Sequence, residues 1–98
     1  MFKVIFQKRA QQQLSKEAKW YSLKSAALEE RFLNQIDDAV DILSINPFFA
    51  ARYHNIRAYV LKDFPYIIFF HVDEKKLLVK IISIVHTSRK PTKYIQVQ

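Results

Sequence analysis

The chain has 98 residues, half of them apolar, with no Cys, no Gly and a formal net charge of +7 at pH 7. That length suits a single domain over residues 1–98 with one core, and the lack of glycine excludes phosphate loops and dinucleotide fingerprints built on it. The lack of cysteine excludes disulfide frameworks and thiolate metal sites and fits a reducing cytoplasm.

Charge is spread unevenly. Residues 1–25 carry six Lys/Arg against one Glu, residues 26–50 one Arg against five acids, and residues 51–98 nine Lys/Arg against three acids. Two basic blocks therefore flank an acidic one, which points to a polyanionic or acidic partner. No stretch approaches the roughly 18 apolar residues of a membrane helix, and the start MFKVIFQKRA lacks the pattern of an export signal. A cytoplasmic protein with no membrane partner is the expectation.

Phe2, Val4 and Phe6 alternate with Lys3 and Gln7, predicting a short strand over Phe2–Phe6. From Lys8 the period lengthens: Ala10, Leu14, Ala18 and Tyr21 recur at spacings of three and four, which predicts an amphipathic helix ending near Lys24. Ser25 is placed to cap a second helix, with Glu29 and Glu30 in the first turn where the dipole favours anions. Its apolar stripe is Leu28, Phe32, Ile36, Ala39, Val40 and Leu43, and Asn46-Pro47 stops it. So short a connection folds the two helices back as an antiparallel pair.

Residues 47–55, PFFAARYHN, follow no clean period and read as a loop over the core. Arg57 to Leu61 alternates as a strand and breaks at Lys62-Asp63-Phe64-Pro65. Tyr66–Val72 and Leu77–Val85 are rich in Ile, Val, Phe and Tyr around the charged Asp73-Glu74-Lys75-Lys76, which is a hairpin. Strict alternation puts Leu77, Val79, Ile81 and Val85 on one face of its second arm and Leu78, Ile82 and Ile84 on the other. With both faces apolar apart from Lys80 and Ser83, that arm belongs inside the sheet and not at its edge. The predicted fold is α+β: strand-helix-helix-strand-strand-strand, a helical hairpin packed on a mainly antiparallel four-stranded sheet.

Taken together, Arg9-Ala10 after the first strand, Trp20-Tyr21, Arg31-Phe32-Leu33, Ile42-Leu43 with Asn46-Pro47, Ile56-Arg57, Phe64-Pro65-Tyr66, and Val85-His86-Thr87-Ser88-Arg89 with Pro91 make a pattern. It resembles the RelE/ParE superfamily of toxins from bacterial type II toxin-antitoxin modules, nearest the ParE-like or plasmid-stabilisation branch. The likeness runs over nearly the whole chain. It implies a growth-inhibiting toxin neutralised by a cognate antitoxin whose C-terminal segment wraps it, with no cofactor. In the ParE-like branch the target is DNA gyrase; in the RelE-like branch the activity is ribosome-dependent mRNA cleavage. Ribosome-dependent members commonly open the third strand with Tyr-Arg or a similar pair, whereas this chain has Tyr66-Ile67. Gyrase inhibition is the preferred expectation, ahead of an endoribonuclease and of a non-toxic remnant that only binds its antitoxin.

His86, Arg89 and Lys90 form a polar, cationic cluster where the most apolar strand ends, the kind of place where function concentrates. Together with Arg57 they are the candidate target-binding residues. If RNA is cut by attack of its own 2′-hydroxyl, His86, Arg89 and Arg57 are the candidate catalytic groups, since the reaction needs a base, an acid and cations for the phosphorane. The plain alternative is that His86 only closes the strand by hydrogen bonding and that Arg89-Lys90 is solvated. His54 and His71 stand apart from His86, without metal-ligand spacing, so no metal is expected.

Trp20 sits at the border of the first apolar stripe, as edge cover for the core or as an aromatic anchor for the antitoxin; Phe48 and Phe49 carry the same ambiguity. Lys3, Lys8, Lys16, Lys19 and Lys24 do not share one helical face and read as solvated.

Overall fold

A computed structural model describes residues 1–49 and 51–88. The elements run β1 (Lys3–Phe6), α1 (Lys8–Ser22), α2 (Ala26–Ile45), a 3-10 turn (Pro47–Phe49), β2 (Ala51–Tyr53), β3 (Ile56–Val60), β4 (Tyr66–Asp73) and β5 (Leu78–His86). They build one sheet in the order β1-β5-β4-β3-β2, with β1 parallel to β5 and the other pairs antiparallel. No helix among the described residues is long and apolar enough to cross a membrane.

Local signals set most of these boundaries. Ser25 adopts extended backbone and its side chain accepts from the Leu28 N–H, satisfying one of the donors a helix start leaves open. Asn46 ends α2, and its Oδ1 accepts from the Phe48 N–H to start the next turn. In the β4–β5 hairpin, Asp73 Oδ1 accepts from the Lys76 N–H. Leu77 then adopts φ 52, in the left-handed region that a glycine would ordinarily fill.

The helical pair covers one face of the sheet. Ala10 and Tyr21 of α1 and Phe32, Ile36, Ala39 and Leu43 of α2 meet Tyr66, Ile68 and Phe70 of β4 and Val79, Ile81 and Ile84 of β5. Each large side chain fully buried there contributes roughly 1.5–3 kcal/mol. A second tie is polar: Gln35 of α2 donates to Asp63 Oδ2 at 3.0 Å and accepts the Asp63 N–H at 2.8 Å, fastening the β3–β4 connection to the helix.

Three expectations change. The sheet has five strands and not four, because Ala51–Tyr53, expected within a loop, pairs with β3 through a turn in which His54 takes φ 55. The alternation of β5 is not continuous: Phe69 lies opposite Ser83 but Phe70 opposite Ile81, so Ile82 is an extra residue in a β-bulge. That bulge shifts the phase, so Val79 and Ile81 before it, and Ile84 after it, all enter the helix-side core, while Val85, buried, lies outside that cluster. Finally, Leu77 belongs to the turn, and the strand begins at Leu78.

Past Ile81, β5 has left its parallel partner: the Gln7 N–H bonds the Ile81 carbonyl and the chain then turns into α1. Gln13 of α1 takes over there, its Oε1 accepting the Ile84 N–H at 2.7 Å. Among the described residues no buried side-chain nitrogen or oxygen lacks a hydrogen-bond partner.

Candidate functional site

The end of β5 is held against the start of β4. Tyr66 and His86 are cross-strand partners, and the Thr87 N–H donates to the Pro65 carbonyl at 2.8 Å. The His86 ring stands edge-on to the Tyr66 ring, 5.1 Å between centroids. Its Nδ1 accepts from the Ser88 N–H at 3.2 Å, with Ser88 Oγ at 3.0 Å. A ring that accepts at Nδ1 carries its proton on Nε2 when neutral, which makes that nitrogen a donor and not a base.

Beneath His86 lies a buried polar pair. The Tyr66 hydroxyl donates to Glu17 Oε1 at 2.7 Å, and both side chains are buried. Burial pushes the Tyr66 phenol far above its ordinary range, and hydrogen bonding to Glu17 and Tyr21 pushes it the same way. Tyr66 is thus a fixed donor that does not exchange a proton near neutral pH. Around the pair, Tyr21, Phe32 and Phe64 pack with ring centroids 4.9 to 5.4 Å apart, mostly edge to face. Glu17 escaped the sequence reading, although it sits at helical spacing between Ala10, Leu14 and Tyr21. A carboxylate inside an apolar stripe is the signal that would have marked it.

The predicted site residues do not all converge. Arg57 lies opposite Phe70, four residues along β4 from Tyr66, or roughly 13 Å from the His86 row. Its Nη1 donates to the Phe48 carbonyl at 3.0 Å, and its guanidinium lies 5.2 Å from the centre of the Phe48 ring. Arg57 is therefore drawn to the C-terminal end of α2, where Arg52 of β2 faces it and bonds the His54 carbonyl. Arg89 and Lys90 lie outside the described residues. Phe48 is partly exposed and packs edge-on against Phe2 at 5.6 Å; Phe49 lies in the 3-10 turn.

Trp20 is 45% exposed, leaning edge-on against Tyr21 at 5.0 Å. It is both edge cover for the core and an accessible ring.

The same fold occurs in solved toxin-antitoxin proteins. A chain of the chromosomal ParDE system from P. aeruginosa superposes with a TM-score of 0.73 at 15% identity, covering 88% of this chain and 96% of that one. A chain of the intact E. coli RelBE toxin-antitoxin complex gives 0.58 at 16% identity, covering 91% of this chain and 100% of that one. The isolated E. coli RelE toxin gives 0.57 at 16% identity, over 99% and 96%. At these identities the likeness shows the shared fold. No curated protein matches the sequence. The family model described as the ParE toxin of type II toxin-antitoxin system, parDE, matches residues 4–91. The chain belongs to that family.

Proposed function

We propose that this ParE-family toxin acts by binding DNA gyrase and carries out no chemistry of its own, and that a cognate antitoxin neutralises it. Beyond the family, the arrangement at His86 carries the reading. Cleaving RNA needs a base, an acid and cations gathered on one phosphate. Here Tyr66 is bonded inward to Glu17, His86 holds its neutral proton on Nε2, and Arg57 is engaged some 13 Å away at Phe48. The end of β5 suits recognition: a polar side chain on a rigid strand, followed in sequence by Arg89 and Lys90. The ParDE and RelBE neighbours are toxin-antitoxin systems by name, which supports an antitoxin partner, with Trp20, Phe48 and Phe49 as candidate contacts.

Induced expression tests the reading. It should arrest growth, the arrest should be reversed by the antitoxin gene, and His86→Gln should weaken toxicity only modestly. A loss of roughly 100-fold or more with His86→Gln, together with rapid mRNA cleavage, would assign the protein to the ribonucleases. Normal growth would mark a remnant that only binds its antitoxin.

A further inference from the structure

Two polar side chains of α1 reach the strands that flank His86. Gln13 Oε1 accepts the Ile84 N–H at 2.7 Å, two residues before His86 on β5. Glu17 Oε1 accepts from the Tyr66 hydroxyl at 2.7 Å, and Tyr66 is the residue opposite His86 on β4. Four positions apart in a helix, the two acceptors stand one turn above each other on one face. Stability alone does not call for polar groups there, because replacing both partners of a buried hydrogen bond by apolar groups of the same shape is often nearly neutral or stabilising. The end of β5, in contrast, needs a hold. Its pairing with β1 stops at Phe6 opposite Ile81, the extra residue Ile82 bends it at once, and beyond the bend β4 is its one strand partner among the described residues.

We propose that Gln13 and Glu17 are positioning residues for the His86 site, a clamp on α1 that keeps the end of β5 flush with β4. Gln13 holds the backbone that carries His86, and Glu17 holds the Tyr66 ring against which His86 stands edge-on, 5.1 Å between centroids. The side chain is thereby fixed before the target arrives, as a recognition site requires. This inference rests on the proposed function only for what His86 does. The clamp acts through His86 alone, so its loss weakens toxicity no further than the loss of His86 itself.

Gln13→Met keeps the bulk of the side chain and loses the acceptor, whereas Gln13→Glu keeps the acceptor. Proton NMR reads the contact between the His86 and Tyr66 rings through their nuclear Overhauser effects, and the amount of soluble toxin that halts growth reads its use. The ring contact should weaken in Gln13→Met and return in Gln13→Glu. The dose that halts growth should rise about fivefold in Gln13→Met, no more than in His86→Gln, and should rise no further in the double variant, because the two changes act through one side chain. The Glu17→Leu, Tyr66→Phe protein should stay folded by circular dichroism and need the same raised dose. An unmoved ring contact in Gln13→Met, a Gln13→Glu protein as impaired as Gln13→Met, or a loss that adds to that of His86→Gln would overturn the proposal and leave Gln13 a merely structural residue. If His86→Gln halts growth at the wild-type dose while the ring contact responds as expected, the site reading fails and the clamp stands. If His86→Gln is weakened and the ring contact does not respond, the clamp alone fails.

Discussion

The hydroxyl of Tyr66 donates to Glu17 Oε1 across 49 positions of sequence, and the same tyrosine ring carries His86 edge-on at 5.1 Å. One buried hydrogen bond thus joins α1 to the strand pair that holds the candidate site. Tyr66→Phe removes this buried, charge-assisted hydrogen bond and should destabilise the fold by about 1–3 kcal/mol in urea unfolding. Combining it with Glu17→Leu should cost clearly less than the two single losses added together, because both remove one interaction. Additive losses would mean that the two groups act independently.

The pH dependence follows from the direction of the Tyr66 shift. Its folded-state pKa lies above that of an exposed tyrosine, so the stabilisation is fully present below about pH 10 and declines as pH rises further, because the unfolded chain releases a proton that the folded chain retains. Wild-type stability should fall above about pH 10 with an added slope of up to ~1.4 kcal/mol per pH unit. The Tyr66→Phe protein should lack that added slope. Parallel alkaline profiles for the two would contradict the assignment.

Gln13 stands in for a missing strand at the Ile84 N–H. Gln13→Ala should speed amide hydrogen exchange at Ile84 more than at Val79, which is paired with Val4 of β1. It should also cost on the order of 1–3 kcal/mol for a partly buried donor left unbonded. Unchanged exchange at Ile84 would show that the side chain is dispensable there.

The separation of Arg57 from His86 gives a prediction about toxicity. Arg57→Ala should lower thermal stability by loosening the Phe48 turn and leave most of the growth arrest in place, whereas Arg89→Ala should lose most of the arrest while folding survives. Growth assays paired with melting curves separate the two outcomes. Full toxicity of the Arg89→Ala, His86→Gln double variant would place the site elsewhere.

What could be read in the residues was what local chemistry decides. Ser25, Asn46-Pro47 and the Asp73–Lys76 turn each act over a few positions, and the two helices and the last hairpin followed from them. The bulge at Ile82 was hidden because both faces of β5 are apolar apart from Lys80 and Ser83, so a change of phase moves mostly one apolar residue into the place of another. Strand β2 was hidden because it has three residues and turns through His54 at positive φ, where a glycine or an Asn-Gly pair would have announced a hairpin. His86 stood out as the first polar residue after a long apolar run. The placing of Arg57 depended on β4 lying between β3 and β5, and the Glu17–Tyr66 bond on how α1 crosses the sheet; neither is a property of neighbouring residues.

Gyrase supercoiling with purified components tests the central claim most directly. Relaxed plasmid, gyrase and ATP are titrated with the purified toxin, and a parallel translation reaction with ribosomes and a defined mRNA receives the same amounts. The account predicts that supercoiling is lost as toxin is added, that antitoxin restores it, and that the mRNA stays intact. Intact supercoiling beside ribosome-dependent cleavage of the mRNA would contradict it.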